Sequence, residues 1–196
     1  MNLTVSSLVG AEVHEALADL ARLRIEVFRD YPYLYEGSLE YEATYLQTYA
    51  NCPQSLVVVA RDGERVVGAS SALPFTGETL EVRQPFVTRG FDENEIFYLA
   101  ESVLLSAYRG LGLGHAFFDA REAHARRLGG FRFAAFCAVE RPAHHPMRPV
   151  GYRSLEEFWV KRGYEKREDL RTTFFWRDIG EDTETPKPMT FWVKNL

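Results

Sequence analysis

Apolar residues change period along this chain, and each change marks an element. Thr4 to Val9 predicts a first strand. From Ala11 to Arg29 the apolar positions Val13, Leu17, Leu20 and Val27 share one face at helical spacing, so this stretch reads as a helix. Leu39 to Ala50 predicts a second one. Ser55 to Ala60 and Arg65 to Leu73 are β-branched runs on either side of Asp62-Gly63, a pairing that signals a hairpin. Ile96 to Leu105 is a nearly unbroken apolar run, read as a central strand. A helix follows from Leu113 to Leu128 and is stopped by Gly129-Gly130. Phe131 to Glu140 is another strand, Ser154 to Arg162 a short helix, and Arg171 to Arg177 with Met189 to Lys194 two closing strands. The succession predicts an α/β fold.

Chemistry concentrates where the central strand meets the following helix, at Tyr108-Arg109-Gly110-Leu111-Gly112-Leu113-Gly114. Glycines at such a junction let backbone N–H groups approach an anion with no Cβ in the way, and the helix start adds the positive end of its dipole. A phosphorylated ligand follows from that order. The glycines fall as G-x-G-x-G, not as the G-x-G-x-x-G of a dinucleotide fold, and no Gly-Lys-Ser or Gly-Lys-Thr completes a P-loop. Arg109, Gly112 and Gly114 spell R-x-x-G-x-G instead. That loop resembles the acyl-CoA pyrophosphate loop of the GNAT superfamily of N-acyltransferases, and the order of elements is similar to the family's layout over nearly all 196 residues.

The resemblance implies a mixed, mostly antiparallel sheet with a central splay, flanked by helices, in one GNAT-like domain spanning 1–196. It implies acetyl-CoA as acyl donor, its pantetheine arm along Ser102, Val103 and Leu104 and its pyrophosphate over Arg109, Gly110, Leu111, Gly112, Leu113, Gly114 and His115. The amide of Leu104 would be the oxyanion donor. Attack by an amine on a thioester needs the amine neutral, and free amines titrate at roughly 8 to 10.4, so a base is required. Glu101 is the only carboxylate in the strand after Glu95 and is the candidate base; the alternative for it is a buried structural pair. Family members often carry their glutamate three residues earlier, where this chain has Tyr98, so Tyr98 falls in the expected acceptor site and a bulge would be needed to bring Glu101 there. The family's usual acid, a tyrosine four residues before a glycine, corresponds to Trp159, which leaves Tyr152 or water to protonate the thiolate. The link between the first two helices walls the acceptor site in this family, which implies Tyr33, Tyr35 and Glu36 as substrate contacts.

Composition narrows the class. With 46% apolar residues the chain can bury a core, and it has no membrane-length apolar run and no signal-peptide h-region. Cys52 and Cys137 suggest no disulfide scaffold, so a cytoplasmic protein is expected. A net charge of -5 argues against nucleic acid as partner. His144-His145 with Arg148 lacks the further ligands a metal needs, so no metal is expected, and His124 reads as a packed histidine. The expected acceptor is a small-molecule or peptide amine, with a homodimer compatible. Two rivals stay open: an acyl-CoA-binding regulatory protein without turnover, suggested by Trp159, and a nucleotide-binding enzyme of another class, suggested by the glycines.

Overall fold

Eight strands form one sheet in the computed structural model, which describes residues 2–196. Along the sheet lie β1 (Leu3–Val9), β2 (Leu56–Asp62), β3 (Arg65–Pro74), β4 (Ile96–Tyr98), β6 (Phe133–Val139), β8 (Thr185–Asn195) and β7 (Glu165–Trp176), while β5 (Ser102–Leu104) pairs with β3 alone. Every pairing is antiparallel except β4 with β6. The hairpin signal at Asp62-Gly63 is realised as a two-residue turn, since Asp62 pairs with Arg65 and Gly63 takes a φ of +60°.

Helices α1 (Leu17–Phe28), α2 (Leu39–Tyr45), α3 (Gln47–Ala50), α4 (Leu80–Thr88), α5 (Leu113–Leu128) and α6 (Glu156–Lys161) flank the sheet. The helix expected from Ala11 opens instead as a 3-10 segment, Gly10–Ala16, before α1 begins. α4 has no counterpart among the expected elements, and it carries Pro85 in its interior. Proline removes the bond to the carbonyl four residues earlier, that of Glu81, and the hydroxyl of Thr172 on β7 donates to this oxygen at 2.7 Å. Tertiary packing thus satisfies what the helix loses.

Two apolar clusters hold the layers. The larger runs from Leu20 and Leu23 of α1 through Val57 to Ala60 of β2 to Phe75, Phe86, Tyr98 and Phe191. The smaller joins Phe97, Phe118, Phe136, Tyr164 and Trp192, with Phe158 and Trp159 of α6 against it. Neighbours Phe97 and Tyr98 belong to different clusters because strand side chains alternate between faces. No helix is long and apolar enough to cross a membrane among the described residues.

Candidate active site

The strand predicted from Ile96 to Leu105 is broken at Leu99-Ala100-Glu101, and the break creates the site. Leu99 donates its amide to Ala135 of β6 at 2.8 Å and Ala100 to Ser71 of β3 at 3.0 Å, as alternation requires. Glu101 should then turn back to β6. Instead its carbonyl accepts from the Ser71 amide at 3.0 Å and its own amide donates to Ser71 Oγ at 3.2 Å, so two residues oppose one: a β-bulge. Parity flips beyond it. Leu105 donates to Val67 and Val103 stands opposite Ala69, so the polar backbone groups of Ser102 and Leu104 point away from β3. The carbonyl of Leu104 accepts Arg109 Nε at 3.3 Å, and the amide on the same edge of the strand faces the same gap. That gap lies between β5 and β6, since β6 beyond Ala135 pairs only with β8. Gly68 lets β5 lie this close to β3: a Cβ there would come within 2.6 Å of Leu104 Cδ1.

The glycine loop begins at Arg109, whose Nε reaches the Leu104 carbonyl on that open edge at 3.3 Å. Gly110 and Gly112 have φ of +79° and +82°, and no atom lies within 4 Å of a Cβ built on either. Gly112 is the N-cap of α5, so the amides of Leu113, Gly114 and His115 have no intrahelical acceptor. Neither they nor the amides of Gly110, Leu111 and Gly112 have a protein partner among the described residues. Six unpaired N–H groups at the positive end of a 16-residue helix fit a pyrophosphate. His115 stacks edge-on to Phe158 at 4.9 Å and lies 3.4 Å from Arg162 at the rim.

On the α1 side of the bulge lies a buried polar cluster. The bulge places Glu101 on the face of Tyr98, three residues away, where a regular strand would put it on the opposite one. Glu101 is 4% exposed, and both its oxygens are engaged. Oε1 accepts from Arg24 at 2.5 Å and from Tyr49 at 3.1 Å, and Oε2 accepts from the Ser71 hydroxyl. Arg24 also donates to the fully buried Glu42 at 2.5 Å, whose other oxygen accepts from Tyr35 at 2.9 Å. Burial opposes the charge on Arg24, but the fields of Glu101, Tyr45 and Glu42 outweigh it and raise its pKa. From the α5 side, Arg121 donates to the carbonyls of Glu101 at 3.2 Å and Ser71 at 3.3 Å, fastening the bulge from behind. Tyr98 and Cys137 meet at 3.1 Å where β4 and β6 part. Burial raises the pKa of both, so their hydroxyl and thiol are neutral at pH 7.

The model of the acetyltransferase (GNAT) family matches residues 18–152. The chain belongs to this family. No curated protein sequence matches it significantly. Solved structures sharing the GNAT fold include the ribosomal-protein-alanine N-acetyltransferase of Brucella melitensis, 16% identical, covering 98% of this chain and 99% of that one at a TM-score of 0.63. NAA60 of Arabidopsis thaliana, in complex with a bisubstrate analogue, is 13% identical over 98% of this chain and 99% of its own, with a TM-score of 0.60. The yncA structure from Salmonella typhimurium with its cofactor acetyl-CoA is 12% identical over 100% and 95%, also at 0.60.

In this GNAT domain the sequence-predicted residues fall into two groups. Ser102 and Leu104 turn their backbone groups to the gap and Arg109 ties the loop to Leu104, whereas Val103, expected beside them, is fully buried with its backbone facing β3, because parity alternates along the strand. Tyr33, Tyr35 and Glu36 stand on the loop after α1, each already engaged: Tyr33 stacks on Trp176 at 5.9 Å, Tyr35 donates to Glu42, and Glu36 pairs with Arg29 at 3.0 Å. Tyr35 and Glu36 line a cavity of about 250 Å³ with Tyr41, Phe175 and Trp176. Tyr152 meets Tyr31 edge-on at 4.7 Å under Arg148, and burial followed by the field of Tyr31 raises its hydroxyl pKa. Trp159 packs edge-on to Phe136 and Trp192 at 5.0 and 5.1 Å. His124 is buried, donating to the Gln54 carbonyl at 3.0 Å. Arg24 and Arg121 escaped the sequence reading, although an arginine within the apolar face of Leu20, Leu23 and Val27, or between Phe117 and Ala125, signals a buried partner.

Proposed function

We propose that the protein is an acetyl-CoA-dependent N-acetyltransferase that moves the acetyl group to a primary amine of a small molecule or peptide by direct attack in a ternary complex in the cytoplasm. One observation carries this reading: the amide of Leu104 faces outward on the strand edge to which Arg109 ties the loop with six unpaired amides, Gly110 to His115. Acetyl-CoA would supply the activated acyl carbon. Gly110 to His115 would hold its pyrophosphate, and the open edge of Ser102 to Leu104 would bind its pantetheine amides as an added strand. Leu104 N–H would stabilise the carbonyl oxygen as it gains charge, at no reorganisation cost because the bulge has already aimed it. Tyr152 keeps its proton at neutral pH and would deliver it to the departing thiolate. Tyr33, Tyr35, Glu36 and Tyr98 would bound the acceptor. Glu101, with both oxygens engaged, would set the charge and shape of the wall through Arg24 and Tyr49.

The test is calorimetry with acetyl-CoA followed by thiol release with added primary amines. Binding with amine-dependent thiol release is the expected result. Binding without release for any amine would favour the second reading, an acyl-CoA-binding regulatory protein, which the packed indole of Trp159 supports because it offers no acid. Within the acceptor wall, Glu36→Gln should raise KM for the amine and leave that for acetyl-CoA nearly constant. Equal change in both would place Glu36 outside the acceptor site.

A further inference from the structure

Glu78 follows the turn Phe75–Gly77 that comes after β3. Its Oε1 is closed off from solvent and has no hydrogen-bond partner among the described residues. A buried carboxylate oxygen without a donor is costly, so a protein keeps one where something else completes it. Glu78 lies close enough to the bulge to feel the field of Glu101. Leu73 of β3 pairs with Tyr98, and the Phe75 ring lies 5.7 Å from that of Tyr98.

Every ionisable neighbour argues for a cation. From β4 and the bulge come Tyr98 and Glu101, from β6 Cys137, from α1 Arg24, and from α2 and α3 Tyr45 and Tyr49; each shares an electrostatic interaction with Glu78. Burial keeps the three hydroxyls and the thiol neutral. Arg24 hydrogen-bonds Glu42 and Glu101, and the field of Arg121 reaches Glu101 from the α5 side, so two cations stand against the three carboxylates Glu42, Glu78 and Glu101. One positive charge is missing.

We propose that the primary ammonium group of the acceptor binds at the Glu78 carboxylate and gives one proton to Oε1 before it attacks the thioester. This rests on the acetyltransferase reading. An N–H bond breaks and its proton goes to Glu78, while the freed lone pair forms the N–C bond. The C–S bond then breaks with its electron pair on sulfur, the Tyr152 hydroxyl protonates the thiolate, and a second proton from nitrogen restores Tyr152, leaving a neutral amide and coenzyme A. Burial, then the field of Glu101, raise the Glu78 pKa to about 7 against the opposing effects of the Thr79 amide and Arg24. A base near neutrality is well matched to this transfer.

The full chain is assayed for thiol release with tyramine, propylamine and a tripeptide with a free N-terminus across the neutral pH range, and for coenzyme A binding by calorimetry. Glu78→Gln should bind coenzyme A as before, lose about 10²- to 10⁴-fold in kcat and lose the acidic limb of the pH profile, whereas Glu78→Asp should keep that limb at a reduced rate. Carbon-13 NMR of the glutamate carboxyls should show one titration near 7, absent in Glu78→Gln. Wild-type kcat and pH profile in Glu78→Gln would overturn the proposal. So would an acidic limb that disappears in Glu101→Gln instead, or a Glu78 that titrates in the ordinary carboxylate range. A wild-type protein that binds coenzyme A yet releases thiol with none of the amines would overturn the transferase reading itself.

Discussion

Gly112 and Arg24 show how single residues serve the two halves of the site. At a φ of +82° a side chain with a Cβ is strained by roughly 1–2 kcal/mol, and nothing in the protein would touch that Cβ. Gly112→Val should therefore stay folded, with a stability loss of that order, while its methyl groups fill the space of the phosphate and abolish acetyl-CoA binding. Calorimetry beside a thermal melt checks both statements, and unchanged affinity would remove the loop from the binding site. Arg24 acts oppositely, through charge. Arg24→Met would leave Glu42 and Glu101 buried without their cation, and breaking such a pair from one side costs about 3–5 kcal/mol. Urea unfolding would measure it; a loss below about 1 kcal/mol would mean that the cluster is open to water.

At the scale of elements, the loop after α1 is held by strands far from it in sequence. Arg141, just beyond β6, donates to the carbonyls of Pro32 at 2.7 Å and Tyr33 at 2.6 Å and to both oxygens of Asp178. Trp176 adds a bond from Nε1 to Tyr33 at 3.0 Å. The wall that carries Tyr33, Tyr35 and Glu36 is thus hung from Arg141 and the end of β7. Arg141→Ala should raise KM for the amine with little change for acetyl-CoA, whose loop is tied elsewhere; equal change in both would mean that the wall does not bound the acceptor. Asp178 gives this tie a pH dependence. Burial pushes its carboxyl up, but hydrogen bonds from Arg141 and Lys187 prevail and hold it below its ordinary value. A lowered pKa contributes stability that is present above the unfolded value of about 3.9 and lost as pH falls through the folded one, so the loop should loosen only in acid below about pH 4. Hydrogen exchange at Leu34 and Ile179 would follow it.

For the molecule as a whole, ligand binding and folding are linked. If acetyl-CoA binds only the folded chain, a concentration 100 times its Kd adds about 2.7 kcal/mol, which for this size raises Tm by about 5–10 °C. A scan with and without ligand measures it, and no shift at saturation would contradict binding. Glu78 has the reverse effect on the free protein. Its folded pKa lies above that of the unfolded chain, so the folded state holds the extra proton between about 4.5 and 7, and stability falls as pH rises through that window. Glu78→Gln should raise Tm above pH 7 and leave it unchanged at pH 4. A variant less stable than wild type at high pH would show that the carboxylate is satisfied in the free protein.

What the sequence determined by itself was local or periodic. The Asp62-Gly63 turn, the helix Leu113–Leu128 and the spacing of Arg109, Gly112 and Gly114 each depend on neighbours within a few positions, so hydrophobic period and glycine conformation suffice to place them. The fold class and the position of the glycine loop follow from those. Only the tertiary structure decided the bulge at Ala100 and Glu101, because it arises when Ser71, 30 residues away, offers its amide, carbonyl and hydroxyl to two successive residues. That extra residue flips strand parity, which turns Leu104 outward and brings Glu101 to the face of Tyr98. The partners of Glu101 are likewise distant, with Arg24 77 positions away and Tyr49 52. No spacing rule reaches that far, since contacts of this separation exist only once the layers have closed. Glu78 carries no local signal at all: in sequence it is one polar residue after a glycine, and it becomes an unpartnered carboxylate oxygen only because β3, β4 and the first helices enclose it.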